Sequence, residues 1–313
     1  MDRVRLGRTG LMVSPVGLGC GGYSRLGMRD GNDTKTAENV VRHALELGVN
    51  YFDTARVYGT EEVVGNAVAA QRDQVVIGTK TMFRDRDDNY LPVGKLIESL
   101  EKSLGRLKSD YVDVFSFHGV TPEHMGDCID RYVPALQRQI DLGKIRHLGI
   151  TESFRQDPTH KMLEAAIPSG CFDVVMVGFN FLNAGARDNV FPLSIKHEVG
   201  TLVMHAVRRA LSNTDALLET IDKLIESGEV FASKIDAANP LGFLTGNPAV
   251  QSVVEAAYRY CRHEPGVSVV LTGTGSTEHL SHNVAALTAP PLPDELHDKL
   301  NDLFGGVRSI SGD

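Results

Sequence analysis

Asp53, Tyr58, Lys80 and His118 offer, in chain order, a carboxylate, a phenol, an amine and an imidazole. Three of them close short apolar runs: NYFD at 50–53, VVIGTK at 75–80 and YVDVFSFH at 111–118. Tyr58 follows the first run within a single turn. Each residue alone has an ordinary structural reading, Asp53 as a turn cap and His118 as a satisfied buried histidine. Together, at the ends of successive buried strands, they make a proton relay of the kind that carbonyl reduction needs.

The elements that position them follow from the pattern. Short apolar runs recur at 17–20, 49–53, 75–79, 112–117, 145–151, 174–179, 201–204 and 267–271. Between them lie helical stretches such as 93–107, where Val93, Leu96, Ile97, Leu100, Leu104 and Leu107 recur at steps of three and four residues. Alternation implies a parallel sheet, and eight units imply closure into an α/β (β/α)8 TIM barrel forming a single domain over 1–313. In such barrels the C-terminal strand ends carry the chemistry. A hairpin is expected over about 1–15. Asp157-Pro158 and Ser276 read as helix starts, and Gly48, Gly143, Gly200 and Gly228 as C′ glycines. The 205–266 interval is longer than one helix requires, so an insertion after the seventh strand is expected, placed to fold over a bound ligand.

Two glycine motifs need separating. GLGCGG at 17–22 matches the dinucleotide fingerprint by letter, but its last glycine opens no helical pattern, so a Rossmann reading fails and the glycines belong at the barrel mouth. LTGTGS at 271–276 closes the eighth run and opens a helix. Its small residues and the free N–H groups behind them make a phosphate seat, where barrels commonly have one.

Bulk properties limit the alternatives. A net charge of −8 leaves no basic stripe to neutralise phosphates, so neither nucleic acid nor an anionic membrane is expected as a partner. Cys20, Cys128, Cys171 and Cys261 are too far apart for a zinc ribbon or a disulfide framework. His279 and His282 share one helix face without a third ligand, so no metal is expected. The N-terminus lacks a signal-type apolar region and no run reaches a membrane span, so a cytoplasmic protein is expected. Oligomeric state is not legible.

The pieces VRLGRTGLMVSPVGLG, GVNYFDTARVYG with EEVVGNAV, VVIGTK, SLGRLKSDYVDVFSFH, GKIRHLGIT and VVLTGTGSTEHLSHNVAAL resemble the aldo-keto reductase superfamily over almost the whole chain. Within it the chain is similar to the bacterial and plant branch of L-galactose and L-fucose dehydrogenases. The resemblance implies hydride transfer between an extended nicotinamide cofactor, NAD or NADP, and the carbonyl or alcohol of an aldehyde, ketone or sugar. It implies Tyr58 as general acid, Lys80 and Asp53 as its tuning pair, and His118 at the carbonyl. It places Gly22, Tyr23, Asp53, Thr151, Glu152, Met176, His205, Val207, Arg208, Gly273, Thr274, Gly275, His279 and Asn283 at the cofactor. Departures stand out: Thr151-Glu152 replaces a Ser-Asn pair, Met176 a glutamine, and His205-Ala206-Val207 a Ser-Pro-Leu type turn. The 273–283 segment holds no Arg or Lys for a 2′-phosphate, which favours NAD. A competing class is a cofactor-binding regulatory module similar to potassium-channel β subunits; a long N-terminal extension is missing here, and the relay is complete.

A free phenol ionises near pH 10. An ammonium about 4 Å away at an effective dielectric of about 20 contributes roughly 4 kcal/mol, so Lys80 is expected to draw Tyr58 down by at most about three pK units.

Overall fold

The computed structural model describes residues 1–312. Eight parallel strands close into a barrel: β1 (Val16–Gly19), β2 (Tyr51–Asp53), β3 (Val76–Thr81), β4 (Val112–Val120), β5 (Ile145–Glu152), β6 (Val174–Gly178), β7 (Gly200–Met204) and β8 (Val269–Thr272). Each pairs with its sequence neighbour, and β8 pairs with β1 to complete the ring. The single-domain (β/α)8 reading holds. Ahead of β1, Val4–Arg5 pairs antiparallel with Met12–Val13. This hairpin sends Leu6 and Val13, both fully buried, into the barrel's floor beside Tyr51, Val76, Val114, Val174, Leu202 and Val269.

Helices form where the 3.6-residue period placed them. Val93–Leu107 buries Leu96, Leu100, Leu104 and Leu107 on one stripe, and Lys108 ends it in the left-handed region. Thr277–Thr288 starts at Ser276, whose hydroxyl accepts from His279 N. Gly48, Gly143 and Gly228 have φ of 88°, 73° and 76°, the left-handed conformation that closes a helix.

Two expected boundaries move. Gly200 is no C′ glycine: Glu198 takes the left-handed position with φ of 52°, and Gly200 opens β7. Its missing side chain serves packing, since a Cβ there would meet Leu6 Cγ at 2.7 Å. The helix after β5 is Lys161–Ala166 and begins later than Asp157-Pro158 suggested, with His160 at the N-cap. Asp157 still serves it by accepting from Lys161 N at 3.1 Å and Met162 N at 2.8 Å. The 205–266 segment contains the helices Arg209–Ser212, Thr214–Glu226, Gly242–Thr245 and Val253–Arg262.

Candidate active site

The barrel interior explains which strand residues reach the mouth. Side chains alternate along a strand, so Tyr51 and Asp53 share the inner face of β2, and Gly78 and Lys80 that of β3. Tyr51 fills the layer below: a Cβ on Gly78 would meet its hydroxyl at 2.6 Å. The next layer up holds the pair. Lys80 Nζ donates to Asp53 Oδ1 and Oδ2, each at 2.7 Å, and to Thr54 O at 3.0 Å. Asp53 and Lys80 are 5% and 2% exposed, so this is a buried ion pair with the ammonium's three donors engaged.

Tyr58 ends the short helix Arg56–Tyr58, which Gly59 closes with a left-handed φ of 74°. A Thr54–Thr60 hydroxyl contact at 2.8 Å ties the two sides of that turn. His118 lies where the register of β4 against β5 shifts, between Phe117 and Val120. Such irregularities re-aim a side chain at the end of a strand. The Tyr58 hydroxyl is 3.2 Å from His118 Nε2, the rings meeting edge to face at 85°, and Lys80 Nζ stands 4.9 Å from the Tyr58 ring centre. Four residues that sequence reasoning grouped are therefore one cluster.

Protonation follows from burial. His118 is pushed down to about 3, by desolvation first and by Lys80 second, so its imidazole is neutral at physiological pH. Lys80 is held above its usual value, because Asp53 and Tyr58 together outweigh the cost of burying its charge. The expected lowering of Tyr58 is not what the structure gives. Its phenol is raised above 10, since burial is the largest influence and Asp53 works against Lys80. Burial outweighs the pull of Lys80, which Asp53 in part opposes.

The family described as "Aldo/keto reductase family" matches residues 15–304. The chain belongs to the aldo/keto reductase family. It is accordingly an oxidoreductase that works with a nicotinamide cofactor. YqkF, an oxidoreductase of Bacillus subtilis, is 28% identical over 94% of each chain. L-galactose dehydrogenase of Arabidopsis thaliana is 26% identical over 90% of this chain and 87% of its own. The holo form of aldo-keto reductase AKR11C1 from Bacillus halodurans superposes with a TM-score of 0.73 at 26% identity, covering 98% of this chain and 97% of that one.

On this aldo/keto reductase barrel the other candidates fall into different settings. Thr151 is on the inner rim beside Met176, and its hydroxyl accepts from Gly119 N at 2.7 Å. Glu152 follows the parity of Leu148 and Ile150 and lies behind the sheet. It accepts from Gly178 N at 2.7 Å and faces His160 Nδ1 at 3.0 Å, with both side chains fully buried. Its carboxylate is thereby spoken for. His205 has a left-handed φ of 66°, and its carbonyl accepts from Asn180 Nδ2 at 3.1 Å. Burial first, and Arg208 second, push it down to about 3. Val207 packs against the core, and Arg208 precedes Arg209–Ser212. On the far side, Thr274 is buried, Gly273 and His279 are exposed, and Asn283 Nδ2 donates to Thr272 Oγ1 at 2.9 Å. Gly22 and Tyr23 are exposed at the mouth.

Sequence reasoning missed Gly21, whose absent side chain makes room for the catalytic candidate: a Cβ there would lie 2.3 Å from Tyr58 Cε2. Its place in GLGCGG was the available signal. The His160 partnership of Glu152 had no local signal. Among the described residues no group of three or more His, Cys, Asp or Glu could hold a metal, and no helix is long and apolar enough to cross a membrane.

Proposed function

We propose that this barrel moves hydride between a nicotinamide dinucleotide and the carbonyl carbon of an aldehyde, ketone or sugar, with Tyr58 giving or taking the proton. The observation that carries the reading is the Tyr58 hydroxyl set 3.2 Å from His118 Nε2 and beside the locked Lys80–Asp53 pair. The mouth fits such a cofactor, because His118 Nδ1 at the end of β4 and His205 Nδ1 after β7 are buried there without a partner. Thr151, Met176, His205 and the 271–276 turn would line it. When bound, the nicotinamide supplies or accepts the hydride. The chain's own residues do the rest.

A carbonyl oxygen between Tyr58 and His118 would be oriented by the neutral imidazole and receive its proton from Tyr58 Oη. Lys80 stabilises the phenolate that remains, and Asp53 keeps Lys80 charged through the cycle. Run in reverse, the phenolate is the base. Tyr23, Val57 and Met82 are 82%, 42% and 40% exposed on the loops after β1, β2 and β3. They offer an apolar rim against which a substrate's carbon skeleton would rest.

Tyr58→Phe removes the proton donor and almost no volume. It is expected to keep dinucleotide binding while lowering kcat about 10²- to 10⁴-fold on a panel of aldehydes and sugars followed at the nicotinamide absorbance. Retention of more than about a tenth of wild-type kcat would remove Tyr58 from this role. For the cofactor we propose NAD ahead of NADP, since the 273–283 segment carries no Arg or Lys. A kcat/KM for NADP(H) more than about tenfold above that for NAD(H), or roughly 1.4 kcal/mol, would reverse that order.

A further inference from the structure

Tyr58 sits on a turn that packing alone does not hold. Arg56, Val57 and Gly59 around it are exposed, whereas Thr54 and Thr60 at its two ends are fully buried. What fixes those ends is β3. At the near end Thr54 N donates to Gly78 O at 2.8 Å, and Thr54 O accepts from Lys80 Nζ at 3.0 Å. At the far end stands Glu61, the first residue of the helix Glu61–Val68 and only 1% exposed. Its Oε1 accepts from the Thr79 hydroxyl at 2.6 Å, and its Oε2 from Arg106 Nε at 2.6 Å. Three consecutive residues of β3, Gly78, Thr79 and Lys80, thus grip both ends of the turn.

Strand parity separates their tasks. Lys80 points into the barrel, while Thr79, one residue earlier, faces outward to the helices. A carboxylate buried this deeply is costly unless its oxygens are bonded, and here each oxygen is met by a group from a different element. Arg106 lies in the last turn of Val93–Leu107, which approaches so closely that a Cβ on Gly65 would meet Arg106 O at 2.7 Å. The proposed reaction needs the Tyr58 hydroxyl within reach of one substrate oxygen while Lys80 stays beside the ring, and a misplacement of about 1 Å there costs on the order of a hundredfold in rate. We propose that Glu61 is a positioning residue for proton transfer: by tying the start of its helix to Thr79 and Arg106, it sets where Tyr58 stands relative to Lys80 and His118. This rests on the role given to Tyr58 above.

Steady-state kcat, KM and the solvent deuterium isotope effect for carbonyl reduction test it in wild type, Glu61→Gln, Thr79→Val, Thr79→Ser and Arg72→Met. Glu61→Gln offers one acceptor oxygen where the carboxylate offers two. It is expected to lower kcat about ten- to a hundredfold, to leave KM within about twofold, and to raise the isotope effect as proton transfer becomes limiting. Thr79→Val is expected to move the same readouts by a smaller factor, about three- to tenfold, while Thr79→Ser, which keeps the hydroxyl, stays near wild type. Arg72→Met controls for lost stability: Arg72 Nη2 donates to the buried Asp113 at 2.8 Å and to Tyr111 O at 3.0 Å, at the end of the barrel away from the site. It is expected to melt lower with kcat and isotope effect unchanged. Wild-type kcat and isotope effect in Glu61→Gln overturn the proposal, and should that variant not fold, wild-type kcat in Thr79→Val does so. Equal losses in Thr79→Val and Thr79→Ser also overturn it, because the hydroxyl would then play no part. Retention of more than about a tenth of wild-type kcat by Tyr58→Phe brings down the reading of Tyr58 itself, whatever Glu61 does.

Discussion

The Lys80–Asp53 pair is best tested by taking it apart in two ways. Asp53→Asn keeps the shape but leaves a buried ammonium, 2% exposed, facing an amide where two carboxylate oxygens stood at 2.7 Å. Removing one partner of a buried ion pair costs about 3–5 kcal/mol. With an unfolding entropy of about 2.1 cal/mol/K per residue over 313 residues, each kcal/mol is worth roughly 1.5 °C, so Tm is expected to fall by about 5–8 °C. Lys80→Met alone strands the carboxylate and is expected to cost a similar amount. The double variant buries no net charge and fills the same volume. It is expected to recover more than half of the summed loss, because replacing a whole buried pair is often close to neutral. Calorimetric melting of the four proteins at pH 7 gives the coupling directly. If the two single losses simply add in the double variant, the residues do not act as a pair and the electrostatic account of the site is wrong.

Two further outcomes follow from the same cluster. Because burial and Asp53 hold Tyr58 above 10, its acid form persists through neutral pH; carbonyl reduction is expected to stay flat between about pH 6 and 9, while alcohol oxidation, which needs the phenolate, climbs across that range. A roughly tenfold fall in kcat for reduction from pH 7 to 9 would show that Lys80 wins after all. Gly21→Ala puts a methyl 2.3 Å from Tyr58 Cε2, so the ring must shift; kcat is expected to drop about 10²-fold with far-ultraviolet circular dichroism unchanged, and a variant with half of wild-type kcat would show that the ring's placement is not critical.

The sequence by itself determined the barrel and the identity of its four central residues. The ends of apolar runs are local properties, so Asp53, Lys80 and His118 could be read as strand-end side chains without knowing what lay across from them. Ser276 as a helix cap was equally local. What depended on distance along the chain was decided only by the tertiary structure. Glu152 is adjacent to Thr151 in sequence but on the opposite face of β5, where His160 waits behind the sheet. Gly200 resembles a helix terminator until the hairpin's Leu6 is seen against it. The sign of the Tyr58 shift depends on a sum of burial, Lys80 and Asp53 that only packing sets. Closure of the barrel brings the loop of β1 onto the turn of β8, so Asn32 and Gly275, at opposite ends of the chain, come to bond across one seam. A one-dimensional pattern specifies which face a residue shows, whereas the neighbour it meets there is fixed by ring closure and by the layers stacked inside it.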